Sequence, residues 1–362
     1  MGLYYFLIIL IIGLALIIFQ NNIKNTKNNL LKKLYIIPVF SFLAFISMFR
    51  ASFIGNDTIQ YLNIFENLKF YEIKDFKGRY ELGYIFLNKL ILNISDNSQL
   101  ILIITSFFII FSYSRFIYKY SNNIWLSMLL YFCLGYFGNS MNIIRQEMAI
   151  AILFFAYDFL IRRKFLKFVV IVFIASLFHQ LSIIFIIAYP ISKLKLNFNT
   201  ILVFLSVTIL GVLLFNPILS MLMKFTKYNY YLDSVYLDGE IRLASVLNIM
   251  ILIITLIFGL IINKYYNVYK FDNCVRIMTL FLLMGTVISI ISLRFNLLDR
   301  VANYFSVFII IYLPNIVDKI KNKWISSLFI VIITTLFVAY FLTVQYLKPD
   351  WNSIYPYYFF WD

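Results

Sequence analysis

Long apolar runs with almost no charge inside them follow one another along the chain, near 3–19, 34–49, 99–117, 124–139, 143–161, 200–219, 243–262, 274–292, 301–317 and 324–346. At a helical rise of about 1.5 Å per residue, most of these runs reach across about 30 Å of hydrocarbon, allowing for shorter or tilted ones. Inside a bilayer no water is present to bond backbone N–H and C=O groups, so only helices and closed barrels cross it. Continuous runs of this length belong to helices, because barrel strands alternate apolar and polar residues over about ten positions. The fold class that follows is all-α, a polytopic transmembrane helical bundle of about ten spans, with residues 1–362 forming a single integral-membrane domain. Composition agrees: charged residues make up 13% of the chain and hydrophobic ones 63%, whereas a soluble domain carries about 25% charge. The run 3–19 has no basic segment before it and no small-residue cleavage site after it, so it reads as a retained first span.

Two regions depart from this pattern. Residues 50–98 contain no clear span. The stretch 80–97 is amphipathic, and the region reads as a first outer loop with interfacial helices. Residues 165–191 form one 27-residue apolar run interrupted by Phe178-His179-Gln180. The placement of Lys and Arg sets the orientation, since cytoplasmic loops are enriched in both. Lys24, Lys27, Lys32 and Lys33 precede the second span, and Arg162, Arg163, Lys164 and Lys167 follow the fifth. Both groups fall inside with the N-terminus outside. The later groups, Lys193 and Lys195, then Lys264, Lys270 and Arg276, then Lys319, Lys321 and Lys323, fall inside only if 165–191 goes out and returns. The charge pattern therefore predicts a broken, hairpin-like pair with its tip near His179. Limbs of about 13 residues span only about 20 Å, which sinks the tip into a recess shielded by protein. The alternative is a single tilted helix with His179 in mid-membrane. In the hairpin arrangement 18 of the 31 basic residues lie inside, with only 3 of the 16 acids. The outer side then holds many charges of both signs, including those of an outer loop at 220–242.

Several function classes drop out. The net charge of +15 is spread over short loops between spans rather than gathered in one domain, so nucleic acid is not a partner. A single histidine, His179, excludes sites built on two or three imidazoles. Cys133 and Cys274 both sit in apolar segments, which supports neither a disulfide framework nor a thiolate metal site. No phosphate-cradling glycine loop and no HExxH pattern occurs. Neither a metal nor a cofactor is expected. No internal repeat stands out, which weighs against a transporter.

Ionisable residues at the ends of spans are costly and are functional candidates by default. Arg50 ends the second span. Gly55-Asn56-Asp57-Thr58 reads as a turn leading into a helix on which Asp57, Gln60 and Tyr61 share a face. That face offers either a carboxylate and a hydroxyl to one ligand, or an Asp cap above an interfacial tyrosine. Arg79, Tyr80 and Glu81 follow, with an adjacent ion pair in a solvated loop as the plain reading. Arg145 and Gln146 open the fifth span from outside, with Glu147 beside them. Arg145 either snorkels to the interface or turns its planar fork to a phosphate, a role favoured by free N–H groups at a helix start. His179 is either a packed, hydrogen-bonded residue near Ser176 and Ser182, or a base for a hydroxyl nucleophile. Arg294, Asp299, Arg300 and Tyr304 form the last outer turn, where the arginines either clamp a diphosphate or balance Asp299. The loop 220–242 adds Tyr228, Tyr230, Tyr231 and Tyr236 with Asp233, Asp238 and Glu240, a composition suited to carbohydrate or to the membrane interface.

The order of these motifs, Arg50…Gly55-x-Asp57-x₃-Tyr61, Glu81-x-Gly83-Tyr84, Arg145-Gln146, Phe178-His179-Gln180-Leu181-Ser182, Arg300-x₃-Tyr304 and a tail with Tyr355-Pro356-Tyr357, resembles the EpsG-like branch of Wzy-type polysaccharide polymerases. The resemblance implies an enzyme of exopolysaccharide, capsule or O-antigen synthesis in the cytoplasmic membrane of a bacterium, with an active site facing outward. Such enzymes transfer a growing glycan from a polyprenyl-diphosphate carrier to a hydroxyl of the next lipid-linked repeat unit. Their partners are that lipid-linked oligosaccharide and the bilayer, together with a chain-length regulator and a flippase. On this reading His179, Asp57 and Arg145 are catalytic. Arg50, Tyr61, Glu81, Gln146, Arg294, Arg300 and Tyr304 bind substrate. A glycosyltransferase of the GT-C type, using an acid of the first outer loop, is the competing enzyme. A non-enzymatic flippase or transporter for the lipid-linked glycan is the competing non-enzyme.

Overall fold

The computed structural model describes residues 2–19, 28–76, 78–217, 242–348, 351 and 353–362. The tyrosines and acids at 228–240 lie outside the described residues. Among those described, helices dominate, and an isolated bridge joins Arg50 to Phe359. The helices are α1 (Gly2–Ile18), α2 (Asn29–Met48), α3 (Thr58–Asn67), α4 (Leu82–Leu92), α5 (Gln99–Tyr120), α6 (Ile124–Cys133), α7 (Tyr136–Asn142), α8 (Ile144–Ile161), α9 (Phe165–Ser176), α10 (Ala188–Ile191), α11 (Phe198–Leu213), α12 (Leu243–Tyr266), α13 (Val268–Phe271), α14 (Asn273–Ser292), α15 (Asp299–Ser306), α16 (Ile309–Asp318) and α17 (Lys323–Leu347). 3₁₀ segments occupy Ile73–Phe76, Gln180–Ile187 and Asn296–Leu298.

Six stretches among the described residues are helical, long and apolar enough to cross a membrane: α2, α5, α12, α14, the joined pair α15–α16, and α17. Counting α6 with α7 as one broken span, bent by 52°, makes seven. The ten spans expected from the sequence are not confirmed among the described residues. The first run forms a helix of 17 residues and the run near 200 one of 16. α8 is 18 residues long but carries Arg145, Glu147 and Asp158. The bend between α6 and α7 sits at Gly135, whose φ of +84° is open to glycine without cost. Asparagine, abundant throughout, has a structural use. Asn28, Asn123, Asn197 and Asn322 each accept hydrogen bonds from the first free N–H groups of α2, α6, α11 and α17, and Asp272 does the same for α14.

The chain divides into two compact units, Met1–Ile183 with Ile320–Asp362, and Ile184–Lys319. In the first unit most of α8 is buried, its charged residues Glu147 and Asp158 included. Residues 50–98 include α3 and α4, of 10 and 11 residues. At about 1.5 Å per residue these are too short to cross hydrocarbon. The run 165–191 is broken at Leu177–His179, as its polar interruption suggests. α9 ends at Ser176, and the 3₁₀ turn begins at Gln180. In the second unit α16 is almost wholly buried. Gly259 of α12 admits the Tyr312 hydroxyl, which a Cβ at that position would meet at 1.8 Å. Tyr312 in turn hydrogen-bonds Tyr269 at 3.1 Å. Lys319 pairs with Asp272 at 2.7 Å.

Candidate functional site

The first unit gathers Arg50, Asp57, Tyr61, Glu81, Arg145 and His179 onto a small set of elements. Arg145 projects from the second residue of α8. Its guanidinium is ion-paired with Glu81, the residue before α4, and lies 5.9 Å from the Tyr61 ring centroid and 5.4 Å from that of Tyr80. Two aromatic faces and one carboxylate therefore hold a cation whose planar group still has donors to offer; its Nε has no hydrogen-bond partner among the described residues. The second Glu81 oxygen accepts the Gln180 N–H at 3.4 Å, where the 3₁₀ turn after His179 begins. The Gly83 N–H donates to Leu177 O at 2.8 Å. A side chain at 83 would meet that carbonyl at 2.7 Å, so only glycine lets α4 approach the break after α9. Glu81 is thus a junction between α8 and the His179 segment.

This geometry settles several alternatives left open by the sequence. Glu81 pairs with Arg145, 64 positions away, rather than with neighbouring Arg79. Glu147 is fully buried and accepts the Tyr113 hydroxyl at 2.8 Å instead of balancing Arg145. Asp57 precedes α3 but makes no side-chain cap; its half-buried carboxylate is left open one turn from Tyr61, with no ion pair or hydrogen bond among the described residues. Tyr61 is buried, and desolvation raises its hydroxyl above the ordinary value while Arg145 pulls the other way. His179 is buried with its N–H on Ala175 O at 3.1 Å. Gln146 is buried beside Arg145.

Arg50 occupies a different setting. It is fully buried, donating to Ser47 O, to Ser106 Oγ at 2.9 Å and to Met141 O at 3.5 Å. No carboxylate pairs with it among the described residues. Burial pushes its guanidinium down to about 10, with Tyr357, Tyr84 and Tyr61 opposing that shift. These bonds tie α2, α5 and the end of α7 together. The loop after Arg50 is fixed on the same carbonyl. Gly55, at φ +92°, lies so close that a Cβ would stand 2.5 Å from Met141 O, and the Asn56 N–H donates to Asn142 Oδ1 at 2.5 Å.

The C-terminal tail contributes partners that sequence reasoning missed. Ala51 N–H donates to Tyr358 O, Phe360 N–H to Phe49 O and Gly55 N–H to Ser353 O, each at 3.0 Å. Asn56 Nδ2 reaches Trp351 O at 2.8 Å, and the Tyr357 hydroxyl donates to Ile46 O. About 300 residues of chain separate these partners, so only the Tyr355-Pro356-Tyr357 motif hinted at them.

In the second unit Asp299 accepts from Ser245 Oγ at 2.8 Å and from Ser292 Oγ; Arg294 and Arg300 are exposed and Tyr304 is buried. At the far ends of α5 and α8 in the first unit, Asp158 takes Arg115 at 2.5 Å and Lys119 at 2.7 Å, and also accepts Tyr120. These charges answer one another and form no open polar path. Among the described residues no cluster of His, Cys, Asp or Glu could hold a metal ion.

An all-helical membrane protein with an arginine, carboxylates, tyrosines and a histidine converging beside a buried helix start is the class of protein defined here. The chain belongs to the EpsG family, whose model matches residues 32–359. Membership suggests a polysaccharide polymerase-like membrane protein. No curated protein and no solved structure matches the chain.

Proposed function

We propose that this chain is a polysaccharide polymerase that moves a growing glycan from a polyprenyl-diphosphate carrier onto a hydroxyl of the next lipid-linked repeat unit. The observation that carries the proposal is Arg145, held between two tyrosine faces and Glu81 at the start of α8, with the open carboxylate of Asp57 one turn from Tyr61. In the reaction the acceptor oxygen bonds to the anomeric carbon as the bond from that carbon to the phosphate oxygen breaks. The diphosphate leaves on its lipid with the negative charge. Arg145 takes that charge, with Arg294 and Arg300 as further cations. The hydroxyl proton passes to a base, with His179 as the first candidate and Asp57 as the second. Tyr61, Glu81, Gln146 and Tyr304 hold sugar, and Arg50 holds the frame from within.

The proposal includes a cytoplasmic-membrane location in a bacterium with the site facing outward, about ten spans in one membrane domain, and a hairpin at 165–191. Its product is an exopolysaccharide, capsule or O-antigen chain, with a chain-length regulator and a flippase as working partners. An open acid in the first outer loop also favours a second reading, a GT-C-type lipid-phosphate-sugar transferase. Gel profiling of lipid-linked glycans in a deletion strain separates the two. Accumulated complete single repeats support the polymerase. Incomplete repeats support the transferase, and unchanged polymer overturns both.

A further inference from the structure

A concave surface that Arg145 does not line lies on the first unit. It is a groove of about 470 Å³ between the loop after Arg50, the start of α5 and the tail, within the range of about 300–1,000 Å³ usual for small-ligand sites. Three of its walls are rings with open faces: Phe53, Tyr358 and Phe360 are 53%, 43% and 47% exposed. Between them stand Asn97, Ser98, Gln99 and Asp362. Their polar atoms are only half used. Asn97 Oδ1 accepts the Gln99 N–H at 2.9 Å, leaving the Asn97 amide N–H₂ open. Ser98 makes no cap with its hydroxyl. Gln99 Nε2 bonds Met48 O at 2.8 Å and Arg50 O at 3.2 Å, leaving its carbonyl oxygen. Asp362 Oδ2 takes the Phe359 N–H at 2.7 Å, leaving Oδ1.

Neither Lys nor Arg lines the groove, and a carboxylate does. A phosphate, a lipid headgroup anion or an acidic sugar would therefore meet repulsion there. An acyl chain would strand the open donors and acceptors. What fits is a neutral ligand with hydroxyls around its edge and C–H groups on its faces. Such C–H faces carry partial positive charge and pack on the negative face of an aromatic ring, while amide and hydroxyl groups supply both donors and acceptors to the rim. We infer that this groove binds a neutral stretch of glycan, the part of the growing chain already polymerised. The inference rests on the polymerase reading and assigns a holding site to its product. α3 links the two places: Tyr61 lies beside Arg145, and Leu62, the next residue, lines the groove, about 100° further round the helix. A chain leaving the Arg145 site round α3 meets the ring-lined wall next. The tail that builds this wall is held to the loop by backbone hydrogen bonds, so the groove is preformed.

The test uses the full chain in nanodiscs and neutral oligosaccharides cut by mild acid from the strain's own polymer, with binding read by saturation-transfer NMR. Fragments should bind the wild type. Phe53→Ala removes one ring and should weaken binding about three- to ten-fold, the worth of one aromatic contact. Ser52→Trp, at an exposed lining position, should block it. Arg145→Ala should leave it within about two-fold, since that cation lies outside the groove. Fragments that fail to bind, or whose binding is lost with Arg145→Ala but kept in Phe53→Ala and Ser52→Trp, overturn the inference. The polymerase reading is judged separately. Complete single repeats accumulating in the deletion strain, with no fragment binding, sink the groove alone. Unchanged polymer in the deletion strain, with groove-dependent binding, sinks the polymerase reading alone.

Discussion

Arg145 has two possible duties, as tie and as ligand, and paired substitutions separate them. Arg145→Met keeps the length of the side chain and removes its charge. Glu81, whose side chain is only 18% exposed, then retains a single acceptor contact to the Gln180 N–H at 3.4 Å. A buried carboxylate robbed of its cation costs about 3–5 kcal/mol and an exposed one at most about 1 kcal/mol. At this degree of exposure the cost should fall near 1–3 kcal/mol. Adding Glu81→Gln removes the orphaned charge and keeps the shape, so the double variant should recover most of that stability. Catalysis behaves differently if Arg145 also receives the leaving diphosphate. Loss of one such preorganised donor costs about 2.7–4 kcal/mol of transition-state stabilisation, roughly 10²–10³ in rate, and Glu81→Gln returns none of it. The assay is thermal unfolding in nanodiscs alongside polymer formation at matched protein levels. A double variant that regains both stability and polymer refutes the ligand role and leaves Arg145 a structural tie. A coupling energy between the two positions below about 0.5 kcal/mol refutes the tie, since exposed pairs already reach that value.

Three further outcomes follow from the same geometry. His179→Ala should reduce polymer less than Arg145→Ala does, because Asp57 stands as a second acceptor and keeps part of the about 10²–10⁴-fold that a general base contributes; equal loss in both variants at equal protein levels counts against this ranking. Gly55→Ala should lower the unfolding temperature, since a Cβ there stands 2.5 Å from Met141 O at φ +92° and such strain costs about 1–3 kcal/mol; an unchanged midpoint means that the first outer loop is not pinned on α7. Burial raises the hydroxyls of Tyr61, Tyr84 and Tyr357 above their ordinary value, so the stability they lend is complete below about pH 10 and is lost as pH climbs beyond it. Arg50, pushed down to about 10, runs in the opposite sense, its burial cost easing over the same interval. Tyr84→Phe should therefore flatten the alkaline fall in unfolding temperature and Arg50→Met should steepen it.

The all-helical membrane class was written in the chain, because a bilayer permits few structures and the apolar runs are unmistakable. The residues that converge beside the start of α8 were also legible one by one: Arg145, Glu81, Asp57, Tyr61 and His179 are polar groups where polar groups are costly. Their pairing was not. Proximity in sequence suggested Arg79 for Glu81, yet the partner is Arg145, and Glu147, beside Arg145 in sequence, takes Tyr113. An ion pair is chosen by the distance between side chains across packed helices, and periodicity along one helix carries no record of that distance. The count of ten spans is likewise not confirmed among the described residues, where a glycine bend follows α6 and α8 carries Arg145, Glu147 and Asp158. The tail is the clearest case. Its hydrogen bonds to the loop after Arg50 join ends of the chain about 300 residues apart through backbone groups, which every residue possesses and no sequence pattern distinguishes.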